Sequence, residues 1–258
     1  MIPLAALAIY LGGWWFFFAL AVVIGLAAYE FYCLMWEGGY RPAVPLGIGL
    51  SLILLLSARF PSLPLTAPII TATLIFSLIW HVIAYERGSE RPTTDWALTL
   101  AGGLYLGWMG SLLIRLRDLP GGLNWVLLAF LPVWIADSAA YFVGRKWGTH
   151  KCCPRLSPKK SWEGTVAGWI AAILSTTVIG VVFGLAVLPA AALGVLLAVF
   201  TPLGDLAESM FKRQVGIKDS SHLIPGHGGV LDRIDSLLFS IPIVYYFIVL
   251  ALGLTLLP

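Results

Sequence analysis

Charge is scarce in this chain. Only 11% of its 258 residues are Asp, Glu, Lys or Arg, against about 25% in soluble domains. Hydrophobic residues make up 59%, which excludes an ordinary soluble fold. Cysteine is equally sparse: Cys33 lies in an apolar run, and Cys152 and Cys153 are adjacent, so no disulfide framework is expected. His150 beside those two cysteines invites a zinc reading, but the spacing matches no usual zinc pattern and no fourth ligand is evident. The N-terminus has no basic region and no obvious cleavage site, so a cleavable signal peptide is not expected.

What remains is a succession of apolar runs of around twenty residues. The first, Ile2 to Trp36, would form a helix of roughly 50 Å at 1.5 Å per residue, too long for one crossing of a hydrocarbon core about 30 Å thick. Gly12-Gly13 offers a break, leaving a short segment and a full span at Trp14–Trp36. Further spans are expected at about Pro42–Ala58, Leu65–Tyr85, Trp96–Leu116, Leu123–Phe142, Trp162–Val187, Pro189–Phe211 and Val230–Leu257. The fold class is therefore an all-α polytopic integral membrane protein with eight full transmembrane helices plus one short N-terminal segment, nine in total. Residues 1–258 form a single membrane domain, with N-terminal helices at 1–116 and the motif-bearing C-terminal helices at 123–258.

Thirteen of the sixteen Lys and Arg residues fall in alternate loops. These are Arg41; Arg87 and Arg91; Arg145, Lys146, Lys151, Arg155, Lys159 and Lys160; and Lys212, Arg213, Lys218 and Arg233. The opposite loops hold Arg59, Arg115 and Arg117. The positive-inside rule puts the richer side in the cytoplasm, where nucleotides and Mg²⁺ are available. If the short first segment spans, the N-terminus is cytoplasmic and the C-terminus exported.

The charge that is present is concentrated. Gly204 to Ser236 contains Asp205, Glu208, Asp219, Asp232 and Asp235, five of thirteen carboxylates. Asp205, Glu208, Ser209 and Lys212 stand at i, i+3, i+4 and i+7 and share one helix face. Two acids that close repel unless a cation or proton lies between them, which suits a hard metal ion; a Glu208–Lys212 ion pair is the plainer alternative. After Lys218-Asp219 comes Pro225-Gly226-His227-Gly228-Gly229, a turn whose glycines let successive N–H groups face an anion, or simply serve as a hinge. Asp232, Asp235 and Ser236 then share a face at the start of the last span, with Arg233 pointing elsewhere.

A second constellation lies upstream. Asp137, inside an apolar span, shares a helix face with Tyr141, Gly144 and Arg145, and an ionisable group at that depth is either functional or paired with an arginine. The following loop is basic up to Lys160, with Pro154 and Pro158 barring continuous helix. Ser161 suits a helix N-cap, Glu163 a first-turn position, and Gly164 and Gly168 allow close helix approach. Lys159-Lys160 alone would serve as an orientation signal or an attraction to anionic lipid. Acidic helix faces, a glycine loop and several cations together suit phosphoryl or nucleotidyl transfer, in which catalysis consists largely of positioning and neutralising phosphate charge.

The run Ser209-Met-Phe-Lys212-Arg213, four residues, Lys218-Asp219, then Ile224-Pro225-Gly-His227-Gly228-Gly229-Val-Leu-Asp232-Arg233-Ile-Asp235 resembles, without a gap, the signature of the phosphatidate cytidylyltransferases, also called CDP-diacylglycerol synthases. Asp137-Ser138, Tyr141, Gly144-Arg145, the segment Leu156 to Gly164, and Gly204-Asp205-Leu206 with Glu208-Ser209 are similar to that family too. The resemblance covers roughly residues 100 to 258 by motif and the earlier spans by hydropathy only. The short first segment departs from it, since the family usually has a longer helix preceded by basic residues.

The resemblance implies conversion of CTP and phosphatidic acid to CDP-diacylglycerol and pyrophosphate, in phospholipid biosynthesis, by a dimeric inner-membrane enzyme whose active site faces the cytoplasm. It implies Mg²⁺, with room for a second, monovalent or divalent, cation, and no nucleic acid partner. Carried over by residue, Asp205, Asp232, Asp235 and Lys218 are the catalytic candidates, and Asp205, Asp232, Asp235, Glu208 and Asp219 the metal ligands. Substrate would be held by Asp137, Arg145, Ser157, Lys159, Lys160, Glu163, Ser209, Lys212, Arg213, His227, Gly228, Gly229 and Arg233. Asp137 and the Ser157–Glu163 loop are expected to form another wall of the same site. Competing readings are a related enzyme using CTP on another membrane lipid phosphate or a CTP-dependent lipid kinase, distinguished by product, and a transporter using Asp137 and the interrupted spans.

Overall fold

The computed structural model describes residues 2–217, 228–251 and 253. Among these, helix dominates, and seven helices are long and apolar enough to cross a membrane. The chain forms two compact units: one of Met1–Asp118, Phe211–Arg233 and Leu256–Pro258, the other of Leu119–Met210 and Ile234–Thr255.

The first unit begins with α1 (Ile2–Leu11), which ends at Gly12 and is followed by α2 (Gly13–Glu37). Gly12 and Gly13 both adopt positive φ, so the expected break falls at these two residues. α3 (Val44–Ala58) follows, then α4 (Thr66–Glu86). α5 (Pro92–Gly103) passes through a π-helical turn at Leu104–Trp108 into α6 (Met109–Asp118), giving one rod from Pro92 to Asp118. α3 differs from the full span expected at Pro42–Ala58. Its 15 residues rise about 22 Å at 1.5 Å each, short of a hydrocarbon core of about 30 Å. Pro45 sits in its first turn and Arg59 follows its last residue, so neither end can extend as apolar helix.

What α3 lacks in length it recovers in packing. A Cβ on Gly107 would lie 2.4 Å from the Ser51 Cα, so the two helices touch backbone to backbone. Ser51 Oγ donates to Gly47 O and Gly103 O, and the buried Tyr32 hydroxyl donates to Thr99 O at 2.7 Å. Small residues and side-chain hydrogen bonds thus hold helices together where no hydrophobic difference from lipid exists to do so. At the other end of this unit Arg117 donates from Nε to Ile9 O at 2.7 Å and from Nη2 to Tyr10 O at 3.0 Å, satisfying last-turn carbonyls of α1. Arg59 pairs with Asp118 and lies over the Trp14 ring.

The second unit contains α7 (Gly122–Trp147), a two-stranded antiparallel hairpin of β1 (Lys151–Cys153) and β2 (Ser157–Ser161), and α8 (Trp162–Val182). α9 (Val187–Gln214) and α10 (Leu231–Tyr246) begin in one unit and end in the other, and α10 continues as a π-helical turn at Phe247–Ala251. The prolines of the basic loop do exclude helix, and the strands are an addition to the all-α expectation. Ser161 caps α8, its Oγ accepting from the Gly164 N–H. Gly164 allows α8 to meet α7: a Cβ there would lie 2.7 Å from Ala140 O. Ser240 of α10 donates to Ala129 O of α7.

Gly107→Ala is expected to destabilise the protein by about 1–3 kcal/mol, the usual cost of overpacking, because the added methyl meets backbone that cannot swing aside. Thermal unfolding of purified protein in detergent measures this; an unchanged midpoint would refute the close contact.

Candidate active site

Two charged groupings emerge, one in each unit. In the second unit, Asp205 is presented by α9 and Lys160 by the end of β2, and Lys160 Nζ lies 2.8 Å from Asp205 Oδ2. Ser209, one turn along α9, donates to Asp205 Oδ1 at 3.3 Å. Asp137 of α7 lies near enough to interact with both charges, repelled by Asp205 and attracted by Lys160. Lys160 thus pairs with Asp205 and lies within electrostatic reach of Asp137. This departs from the arginine partner considered for Asp137; Arg145, two turns on, donates instead to the Tyr141 hydroxyl at 3.1 Å. A Cβ on Gly204 would sit 2.5 Å from Asp235 O, so α9 and α10 pack closely beside this group. The Asp235 carboxylate accepts from the Ser236 N–H, and Glu208 is buried.

In the first unit, Lys212 Nζ lies 2.6 Å from Asp232 Oδ1, with side chains only 10% and 13% exposed. The other oxygen of Asp232 accepts from the Gly229 N–H at 2.8 Å. Gly228 stands at φ +79°, and a Cβ there would lie 2.9 Å from Asp232 Oδ2, so both the backbone conformation and the close approach call for glycine. The glycine pair thus seats a carboxylate within the protein, and the Gly229 N–H is engaged there. Arg213 caps the chain after α9 by donating to Ile217 O, and Arg233 is exposed.

The remaining candidates are placed more loosely. Ser157 and Lys159 lie on β2. Glu163 accepts from the Thr149 hydroxyl at 2.7 Å and from the His150 N–H and pairs with the His150 ring, closing the hairpin onto the first turn of α8. Lys218, Asp219 and His227 lie outside the described residues.

Glu30 is a further functional candidate that no sequence motif marks. It is 1% exposed, and its two oxygens accept from the N–H groups of Val230 at 2.9 Å and Leu231 at 2.7 Å. It caps the N-terminus of α10, where orphan donors and the helix dipole favour an anion. The signal was available: Glu30 lies within the apolar span Trp14–Trp36, and the reasoning applied to Asp137 applies equally to it.

The donor set is all oxygen, as Mg²⁺ requires. Among the described residues no group of three or more His, Cys, Asp or Glu side chains gathers closely enough to cage a metal. Mg²⁺ commonly takes one or two carboxylates and completes its shell with water and substrate phosphate, and that arrangement the residues present do fit.

The sequence model of the cytidylyltransferase family matches residues 1–251. This chain belongs to that family. Similar relatives include the phosphatidate cytidylyltransferase of Synechocystis sp., 37% identical over 287 residues, covering 97% of this chain and 94% of that protein. That of Pseudomonas aeruginosa is 39% identical, covering 93% and 92% respectively. That of Haemophilus influenzae is 47% identical over a shorter stretch, 49% of this chain and 46% of that protein.

Removing one partner of a mostly buried ion pair costs about 3–5 kcal/mol because the other charge stays behind. Lys212→Ala should therefore lower the unfolding midpoint clearly in detergent, and Lys212→Ala combined with Asp232→Ala should recover part of the loss. A single variant as stable as the parent would dismiss the pair.

Proposed function

We propose that this chain is a phosphatidate cytidylyltransferase, transferring CMP from CTP to phosphatidic acid to give CDP-diacylglycerol and pyrophosphate. The observation that carries this reading is the near full-length similarity to proteins bearing that name, within a family match over residues 1–251. The two cation–carboxylate groupings support it.

The reaction forms a bond from a phosphate oxygen of phosphatidic acid to the α-phosphorus of CTP and breaks the bond from that phosphorus to the bridging oxygen of the β-phosphate, releasing pyrophosphate. A phosphomonoester is largely ionised at neutral pH, so no strong general base is needed. Lys160 and Lys212 exchange their carboxylate partners for phosphate oxygens; Lys159, Arg145, Arg213, Arg233 and Lys218 add positive charge. Asp137, Ser157, Glu163, Ser209, His227, Gly228 and Gly229 position the substrates. Asp205 and Asp232 are the first candidates to hold Mg²⁺, then Asp235, Glu208 and Asp219; when bound, Mg²⁺ supplies Lewis-acid neutralisation of the phosphate oxygens. A second cation and a homodimeric state belong to the same proposal.

The fold is that of a multi-pass membrane protein, and the excess of Lys and Arg in alternate loops supports a cytoplasmic-membrane enzyme with its site on the cytoplasmic side. A cysteine introduced at Lys151 in a chain with its native cysteines replaced should react with a membrane-impermeant reagent in inverted vesicles and not in intact cells. Labelling in intact cells would invert the topology.

The function is tested with purified protein in detergent given labelled CTP, Mg²⁺ and phosphatidic acid. The expected products are a labelled nucleotide-lipid and pyrophosphate. A phosphorylated lipid with release of CDP would indicate a kinase instead, and no turnover would reject the reading. Asp232→Asn should reduce turnover at least 100-fold while the protein still inserts in the membrane; near-parental activity at low Mg²⁺ would remove Asp232 from the metal-ligand set.

A further inference from the structure

The first turn of α10 is held in an unusual way. Three successive backbone N–H groups, those of Gly229, Val230 and Leu231, are all consumed by carboxylates: the first by Asp232 of the same turn, the next two by Glu30 of α2. Glu30 lies some 200 residues earlier in the chain and is 1% exposed. A carboxylate so buried in an apolar span is costly unless its charge is compensated, and here a helix N-terminus compensates it. A generic cap could come from any Ser, Thr, Asn or Asp at the helix start, and this segment instead recruits a distant, fully buried acid with both oxygens engaged.

The consequence falls on Asp232. Its carboxylate is fixed at one oxygen by Lys212 Nζ and at the other by the Gly229 N–H. That N–H belongs to the residue immediately before the pair of N–H groups that Glu30 grips. The orientation of Asp232 thus depends on the path of the backbone from Gly229 to Leu231, and Glu30 fixes two of the three peptide units in that path. A shift of even about 1 Å in a reacting group is enough to cost large factors in rate.

We infer that Glu30 is a positioning residue for the transfer reaction: by clamping the Val230 and Leu231 N–H groups, it sets the orientation of Asp232 at the start of α10. It touches no substrate. This role rests on the reading of the chain as a cytidylyltransferase in which Asp232 serves catalysis.

The test is steady-state kinetics of the full chain in detergent, with CTP, phosphatidic acid and Mg²⁺, alongside thermal unfolding. Glu30→Gln removes the charge and leaves one acceptor oxygen. It should lower kcat at least 10-fold, raise the Mg²⁺ concentration for half-maximal rate several-fold, and leave the KM for phosphatidic acid within about threefold. Glu30→Asp keeps the charge but withdraws it by one methylene; it should show the same kinetic split in milder form. If Glu30→Gln does not fold, the Asp variant decides alone. Parental kcat in either folded variant overturns the proposal, as does a rate loss confined to KM. Failure of both variants to fold overturns it in favour of a purely structural clamp. If the unaltered protein makes no CDP-diacylglycerol, the functional reading itself falls and this role with it, whereas an active parent with insensitive variants refutes the role of Glu30 alone.

Discussion

The structure depends on one constraint: a charge carried into apolar surroundings must have its counter-charge there as well. Lys212 and Asp232 meet it as a pair. Glu30 meets it with two peptide N–H groups at a helix start. Asp205 meets it through Lys160 and the Ser209 hydroxyl. In each case a segment distant in sequence supplies a partner, so the burial of these charges and the packing of the segments that carry them go together.

Burial of polar groups also explains the choice of small residues. Gly204 admits the backbone of α10 at Asp235, Gly164 that of α7 at Ala140, and Gly107 that of α3 at Ser51. Close approach of this kind replaces the hydrophobic drive that lipid removes.

Much of this was legible in the residues. Helix breaks at Gly12-Gly13, the cap at Ser161, the non-helical basic loop and the helical faces around Asp137 and Asp205 follow from local rules about glycine, proline and periodicity. Hydropathy alone makes α3 a full span, because it does not measure where proline and arginine cut a helix short. The partners of charged groups were harder to foresee. Lys160 with Asp205, and Lys212 with Asp232, are separated by 45 and 20 residues, and no periodicity reports contacts across helices. Glu30 escaped because a single acid in a long apolar run carries no motif; only its contact with α10 gives it meaning.

The bonds from Arg117 to Ile9 and Tyr10 have a bearing on how the molecule is made. The donor lies 108 and 107 residues after the carbonyls it satisfies. At synthesis rates of about 5–20 residues per second, the end of α1 waits on the order of ten seconds for its arginine to emerge. Until then the two carbonyls have no arginine to accept from, and water at the membrane interface must satisfy them.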